Sequence, residues 1–316
     1  MRFIPLSVLL LGSCLTLPAV AEEGLDLLQR LAEAERTQSF NGTFVYERNG
    51  VFSTHSIWHQ VDAEGVSRER LLQLDDSEQE VLRVDGQVQC ASGALADQLI
   101  DSQLWPIRKL DAVQLNEWYE LRVLGNSRVA GRAASVLALV PRDQHRYGIE
   151  LHLDQQTGLP LKSLLVNDKG QLLERFQFTQ LQSDIPSASS LQASAGCRPV
   201  RLVSAATETA EAWHSDWLPP GFNLRSVAQR RSPASDESVI CQVYDDGLAR
   251  FSVFMEPLRG ASVEDLRTQL GPTVAVSRRL NTADGDVMVT VVGEIPLGTA
   301  ERVALSMRSA AQGTQQ

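Results

Sequence analysis

The 316-residue chain carries 39 Asp and Glu against 29 Lys and Arg, a net charge of −10. Such an acidic balance lacks the clustered cations that attract phosphate backbones, so binding nucleic acid through its backbone is excluded as a main role, and Arg230-Arg231 and Arg278-Arg279 read as solvated strand ends. The length exceeds what one compact core serves, so two domains are expected.

Met1-Arg2 is a short basic start, and Ile4 to Leu17 is almost wholly apolar. Pro18-Ala19-Val20-Ala21 follows with small residues at both positions inspected by signal peptidase, so residues 1–21 read as a signal peptide cleaved after Ala21. The apolar run is too short to be a permanent membrane span. Leu11-Gly12-Ser13-Cys14 is a loose match to a lipid-attachment box, placed inside the apolar stretch rather than after it. Removing residues 1–21 takes away Arg2 and leaves 28 basic against 39 acidic residues, a net charge of −11. Cys90, Cys197 and Cys241 remain, and an oxidising compartment permits one disulfide. Cys197 with Cys241 is the expected pair, since both fall in the second half. The chain has no Cys-x-x-Cys, which argues against a thioredoxin-like role.

Leu27, Leu28, Leu31 and Ala34 recur at helical spacing with charges opposite, so an amphipathic helix is expected over 24–36. From Phe40 the period changes to two. Phe40, Gly42, Phe44 and Tyr46 share one side, Asn49-Gly50 supplies a two-residue hairpin turn, and Val51 to Val61 runs back. Glu64-Gly65 and Asp85-Gly86 turn further strands into an antiparallel meander. Helix-like sequence interrupts at 93–102 and 110–118, and strands then resume to Leu181. A sheet this long must curl or close to manage its edges. Its apolar hollow would suit a hydrophobic guest, and Phe44, Tyr46, Trp58, Trp105, Phe176 and Phe178 are the candidate lining.

Residues 183–211 are Ser- and Ala-rich without periodicity and read as a linker between a domain over 22–182 and a smaller one over 212–316. In the latter, strands are expected at 222–230, 239–244, 248–256, 273–280 and 287–294, with a helix at 262–270 capped by Ser262 and ended by Gly271 and a last helix near 299–309. The fold class is α+β, mostly antiparallel β.

Little in the chain points to catalysis. His55 and His59 lie four residues apart in an expected strand, so their side chains are about 13 Å apart, too far for one metal. His145 follows Asp143 closely, but no activated Ser or Cys accompanies it, since Gly125-Asn126-Ser127-Arg128-Val129 lacks the second glycine of a nucleophile elbow. Asp284-Gly285-Asp286 lacks the remaining ligands of a calcium loop. No cofactor, no metal and no enzymatic activity are expected.

Several segments together carry a resemblance. They are Ser39-Phe40-Asn41-Gly42-Thr43-Phe44-Val45-Tyr46-Glu47-Arg48, the stretch from Val129-Ala130-Gly131-Arg132 to Arg146-Tyr147-Gly148, and Leu151-His152-Leu153-Asp154 with Thr157-Gly158-Leu159-Pro160. Further along come Trp217-Leu218-Pro219-Pro220-Gly221-Phe222, Asp246-Gly247-Leu248-Ala249-Arg250-Phe251 and Val291-Val292-Gly293-Glu294-Ile295-Pro296. In this order they resemble the RseB/MucB family of periplasmic regulators of an envelope-stress sigma factor, over essentially the whole mature chain. The resemblance implies an N-terminal half-open β-barrel shaped like the lipoprotein carriers LolA and LolB, and a smaller C-terminal domain. It also implies binding to the periplasmic region of a membrane-spanning anti-sigma factor, protection of that region from proteolysis, and release by lipid or lipopolysaccharide. Trp217, Phe222, Arg230 and Arg231 are the candidate partner-binding residues. A periplasmic lipid or lipoprotein carrier is the alternative function, which would leave 213–310 unexplained. The sequence leaves open whether the protein forms a homo-oligomer.

Overall fold

In the computed structural model, residues 17–75, 79–92, 110–200, 213–235, 237–261, 263–283 and 285–309 are described, with the helical backbone alone at 17–21. Helix α1 (Leu17–Thr37) crosses the expected processing point, and cleavage after Ala21 would leave Leu27, Leu28 and Leu31 in place. Leu27, Leu28 and Leu31 pack against Leu121, Leu137, Leu139, Leu151 and Leu153, as the helical spacing predicts.

The N-terminal lobe is two antiparallel meanders. The first comprises β1 (Phe40–Arg48), β2 (Val51–Val61), β3 (Ser67–Gln73), β4 (Gln79–Val84) and β5 (Gln87–Ala91). After α2 (Ala112–Trp118) the second comprises β6 (Tyr119–Val129), β7 (Arg132–Pro141), β8 (Gly148–Asp154), β9 (Pro160–Val166) and β10 (Leu172–Gln182). β10 pairs with β1, which fuses the meanders into one sheet, and β11 (Arg198–Pro199) adds to the far side of β5 as its eleventh strand. The sheet is open, with β11 and β6 at its edges, as expected for a barrel that does not close. Asn49-Gly50 and Asp85-Gly86 both adopt the paired positive φ of a tight hairpin turn, which is why those dipeptides announce hairpins. The α2 helix is capped by the Asp111 carboxylate, which accepts from the backbone amides of Val113 and Gln114 at 3.0 Å each. The expected helix at 93–102 lies outside the described residues.

The expected Cys197–Cys241 bridge is not formed. Cys90 at the end of β5 is joined to Cys197, while Cys241 is buried in the second sheet outside any disulfide. Proximity in sequence misleads here because residues 183–200 fold back along the first sheet. Buried Glu80 fixes that return, accepting from the Arg70 Nε at 2.6 Å and from the Ser194 backbone amide at 3.1 and 3.2 Å. Burial opposes the Glu80 charge, yet these donors hold its carboxyl below the usual range.

The C-terminal lobe contains β12 (Trp213–Ser215), β13 (Asn223–Arg231), β14 (Ser238–Asp245), β15 (Arg250–Pro257), β16 (Leu266–Leu270), β17 (Thr273–Thr282), β18 (Gly285–Gly293), α3 (Leu297–Ser306) and β19 (Met307–Ser309). Six strands form one sheet in the order β13-β14-β15-β18-β17-β16, with β12 and β19 pairing beside it. Val303, Ala304 and Ala300 of α3 pack into a core with Val274, Val276, Val289 and Val291. The helix expected at 262–270 is overturned: Leu266–Leu270 is a strand paired antiparallel with β17.

Candidate functional site

Two places collect the functional candidates, an aromatic layer in the N-terminal lobe and the seam between the lobes. In the layer, β1 and β10 set Phe44 opposite Phe178 and Tyr46 opposite Phe176. The rings of Phe44 and Phe176 lie 4.6 Å apart, and Phe176 meets Phe178 edge-on at 5.1 Å. Gly42 completes the layer by omission, because a Cβ there would stand 2.5 Å from the Gln180 carbonyl oxygen and 2.8 Å from the Phe178 ring. Four of the sequence candidates, Phe44, Tyr46, Phe176 and Phe178, are thus brought together, and all four are buried. Trp58 is not among them. Ile57 and His59 alternate around it toward the layer, and Trp58 instead carries the Arg70 guanidinium 5.3 Å above its ring. Trp105 lies outside the described residues.

The β2 histidines join the layer, His55 stacking on Phe44 and His59 on Phe40, each at 5.0 Å. Burial pushes the His55 imidazole down to about 4. It is therefore neutral at physiological pH and behaves as part of the apolar layer. Beside His59 the Arg83 Nη1 donates to the Glu69 Oε1 at 2.7 Å, a pair with side chains only 4% and 9% exposed. The period-two pattern put these residues on one face, but nothing in the sequence marks which face is covered.

The seam is organised by Arg146, in the loop between β7 and β8. Its side chain is fully buried, donating to the Asp246 Oδ2 at 2.6 Å, to the Asp143 Oδ2 at 3.1 Å and to the Pro220 carbonyl. The guanidinium carbon lies 5.6 Å from the ring centroids of Trp118 and Tyr119 and 5.2 Å from that of Phe222. Asp246 comes from the β14–β15 turn, where its Oδ1 also accepts from the Leu248 and Ala249 amides. Burial, only partly offset by Arg146, pushes the Asp246 carboxyl up. Leu248, two residues on, packs into the leucine core of the N-terminal lobe. Further along the seam His145 shares a hydrogen bond of 3.1 Å with the Thr299 hydroxyl and meets Trp217 edge-on at 5.0 Å. The Tyr147 hydroxyl donates to the Ile295 carbonyl at 3.0 Å.

Of the four partner candidates, Trp217 and Phe222 therefore belong to the seam. Arg230 and Arg231 do not, since they sit at the far end of β13, about 25 Å along an extended strand from Phe222. The residues that sequence reasoning missed are Arg146 and Asp246, whose separation of 100 positions leaves no local signal. Asp143 and His145 both take part in this contact. Among the described residues no group of three or more His, Cys, Asp or Glu side chains is placed to hold a metal, and no helix is long and apolar enough to cross a membrane.

This two-lobed arrangement is found in known proteins. The MucB/RseB N-terminal domain family matches residues 23–195, and the MucB/RseB C-terminal domain family matches residues 207–308. The chain belongs to the MucB/RseB family. Its relatives include the sigma factor AlgU regulatory protein MucB of Pseudomonas aeruginosa, 65% identical over 303 residues that cover 95% of this chain and 96% of that protein. The sigma-E factor regulatory protein RseB of Escherichia coli is 28% identical over 292 residues, covering 89% of each chain. Among solved structures, the complex of Pseudomonas aeruginosa MucA and MucB contains a chain matched with a TM-score of 0.81 at 64% identity, over 91% of this chain and 99% of that one. In MucB/RseB terms, the likeness spans both lobes and the seam residues between them.

Proposed function

We infer that this chain is an exported regulator that acts by binding, with no catalytic step of its own. Its partner is the periplasmic region of a membrane-spanning anti-sigma factor of the MucA or RseA kind. Bound, it shields that region from the protease that begins its degradation and so restrains the envelope-stress sigma factor. The observation that carries this reading is the 65% identity to MucB, sustained over 95% of the chain. The lobe seam, with Trp217 and Phe222, supplies the surface on which a partner touching both lobes would depend.

Release follows from linkage. A lipid or lipopolysaccharide that binds only the partner-free arrangement lowers the apparent affinity for the partner, and moving the protein from mostly bound to mostly free takes a few kcal/mol of differential binding. Phe44, Tyr46, Phe176 and Phe178 are the proposed lipid contacts. Because they are buried against one another, an acyl chain reaches them by parting the layer. The test uses the mature chain from Glu22 and the immobilised periplasmic region of a MucA-like anti-sigma factor. Retention, slower cleavage of the partner by its protease, and loss of both on adding lipopolysaccharide are expected. Absence of retention overturns the reading; retention indifferent to lipopolysaccharide removes the lipid arm alone.

A further inference from the structure

At the other end of the seam from Arg146, two carboxylates, one from each lobe, converge on a single guanidinium. A β-bulge between Leu172 and Glu174 sets Glu174 directly opposite Arg48 of β1, where the Arg48 Nε lies 4.0 Å from the Glu174 Oε2. The Arg48 Nη2 reaches across the seam to the Glu294 Oε1 at 2.7 Å and also donates to the Thr273 hydroxyl. From β1 the Tyr46 hydroxyl donates to the Glu174 Oε2 at 2.5 Å. On its other flank β9 places apolar Leu165 opposite Glu174. Arg175 and Glu47, one position along their strands, pair with each other at 3.4 Å on the opposite face of the sheet. The second lobe contributes Glu294 and neutral Thr273. Nearby, Tyr147 stays a neutral phenol, pushed up to about 12 by burial and by Glu294. Arg48 is thus the one cation that faces both carboxylates among the described residues.

We propose that Glu174, Arg48 and Glu294 form a proton-controlled latch between the lobes. With a proton on Glu174, Arg48 serves Glu294 alone and the lobes close with charges matched. Without it, two carboxylates share one guanidinium across a partly buried contact, with the Glu174, Arg48 and Glu294 side chains 20%, 29% and 41% exposed, and separating the lobes returns each fully to water. Burial and the Glu294 carboxylate raise the Glu174 carboxyl to about 7, against the pull of Tyr46 and Arg48. The closed form therefore binds more protons than the open form between pH 7 and the ordinary carboxylate range near 4.5. Closure is strongest below that window, weakens as pH rises across it and levels off above about 7. The latch requires neither partner nor lipid and stands independently of the anti-sigma reading.

Hydrogen exchange on the whole mature chain reads the closure equilibrium through the amides of 269–275 and 293–297. After correction for intrinsic rates, their protection should fall by up to about 30-fold between pH 5.5 and 8.5, most of the fall coming before pH 7 and levelling off above it. Glu174→Gln, permanently neutral and nearly isosteric, should hold the low-pH level of protection across the range. His145 contributes with the opposite sign, because burial pushes its imidazole down; it is intact in the variant, so the difference between the two profiles isolates Glu174. A flat wild-type profile, or a variant that still follows the wild type, overturns the latch. Should Glu174→Gln not fold, Glu294→Gln decides instead: removing the competing carboxylate should lower the pH at which the fall levels off, and an unmoved levelling point overturns the latch.

Discussion

Arg146 shows how a single residue can determine whether two lobes behave as one body. Its guanidinium is enclosed by three aromatic faces and two carboxylates, and both it and Asp246 have side chains with no exposure. Removing one member of a buried pair leaves the other charge without compensation, which costs about 3–5 kcal/mol. Arg146→Met should therefore lower the urea midpoint of the full chain by that equivalent, while Arg146→Met with Asp246→Asn should recover part of it, because Asn keeps the turn acceptor for Leu248 and Ala249 without the charge. Equal losses in the single and double variants would refute the pairing. The packing around it is close: a Cβ on Gly221, whose φ is +84°, would fall 2.3 Å from the Trp118 Nε1. None of this is legible in the sequence. Arg146 reads as one charge in a polar loop and Asp246 as the start of a turn, and only the meeting of loops from two lobes makes them a pair.

At the scale of elements, the signals that held were those whose physics is local. Asn49-Gly50 and Asp85-Gly86 turn the chain whatever surrounds them, and the leucines of α1 bury wherever a leucine-bearing sheet is offered. The expected helix at 262–270 failed because its pattern found no core to face. Val263, Leu266 and Leu270 would line one side of a helix, yet they are 43%, 50% and 65% exposed. What decides the segment is the tight turn at Gly271, φ +59°, which lays Leu270 beside Thr273 and gives the backbone a ladder on β17. The disulfide likewise depends on a return of the chain that composition alone does not show. Bridging positions 107 apart stabilises by roughly 2–5 kcal/mol, and β11 is a two-residue strand that needs the tether. Reductant should lower the thermal midpoint of the wild-type protein by roughly 5–10 °C, leave a Cys90→Ser/Cys197→Ser variant unmoved, and still act on Cys241→Ser. A reductant effect that disappears in Cys241→Ser would restore the pairing first expected from the sequence.

For the whole molecule, the seam makes the lobes mutually dependent. Leu248 of the second lobe completes a core that belongs to the first, Phe222 lies under an arginine of the first lobe, and Arg48 and Tyr147 bind Glu294 and Ile295. If the lobes unfolded separately, the survivor would expose this apolar ring to water and forfeit the Arg146–Asp246 pair, a loss set against each lobe's marginal stability. The intact chain should therefore melt at pH 6 in one calorimetric transition whose van't Hoff and calorimetric enthalpies agree, whereas Arg146→Met should broaden it or split it in two. Raising the pH to 8.5 should move the wild type in the same direction, since deprotonated Glu174 loosens the other end of the same contact. Two separate transitions in the wild type at pH 6 would mean that the seam is contact without coupling. A signal bound to one lobe could then not be felt by a partner held on the other, because what transmits it is the free energy of closing the seam.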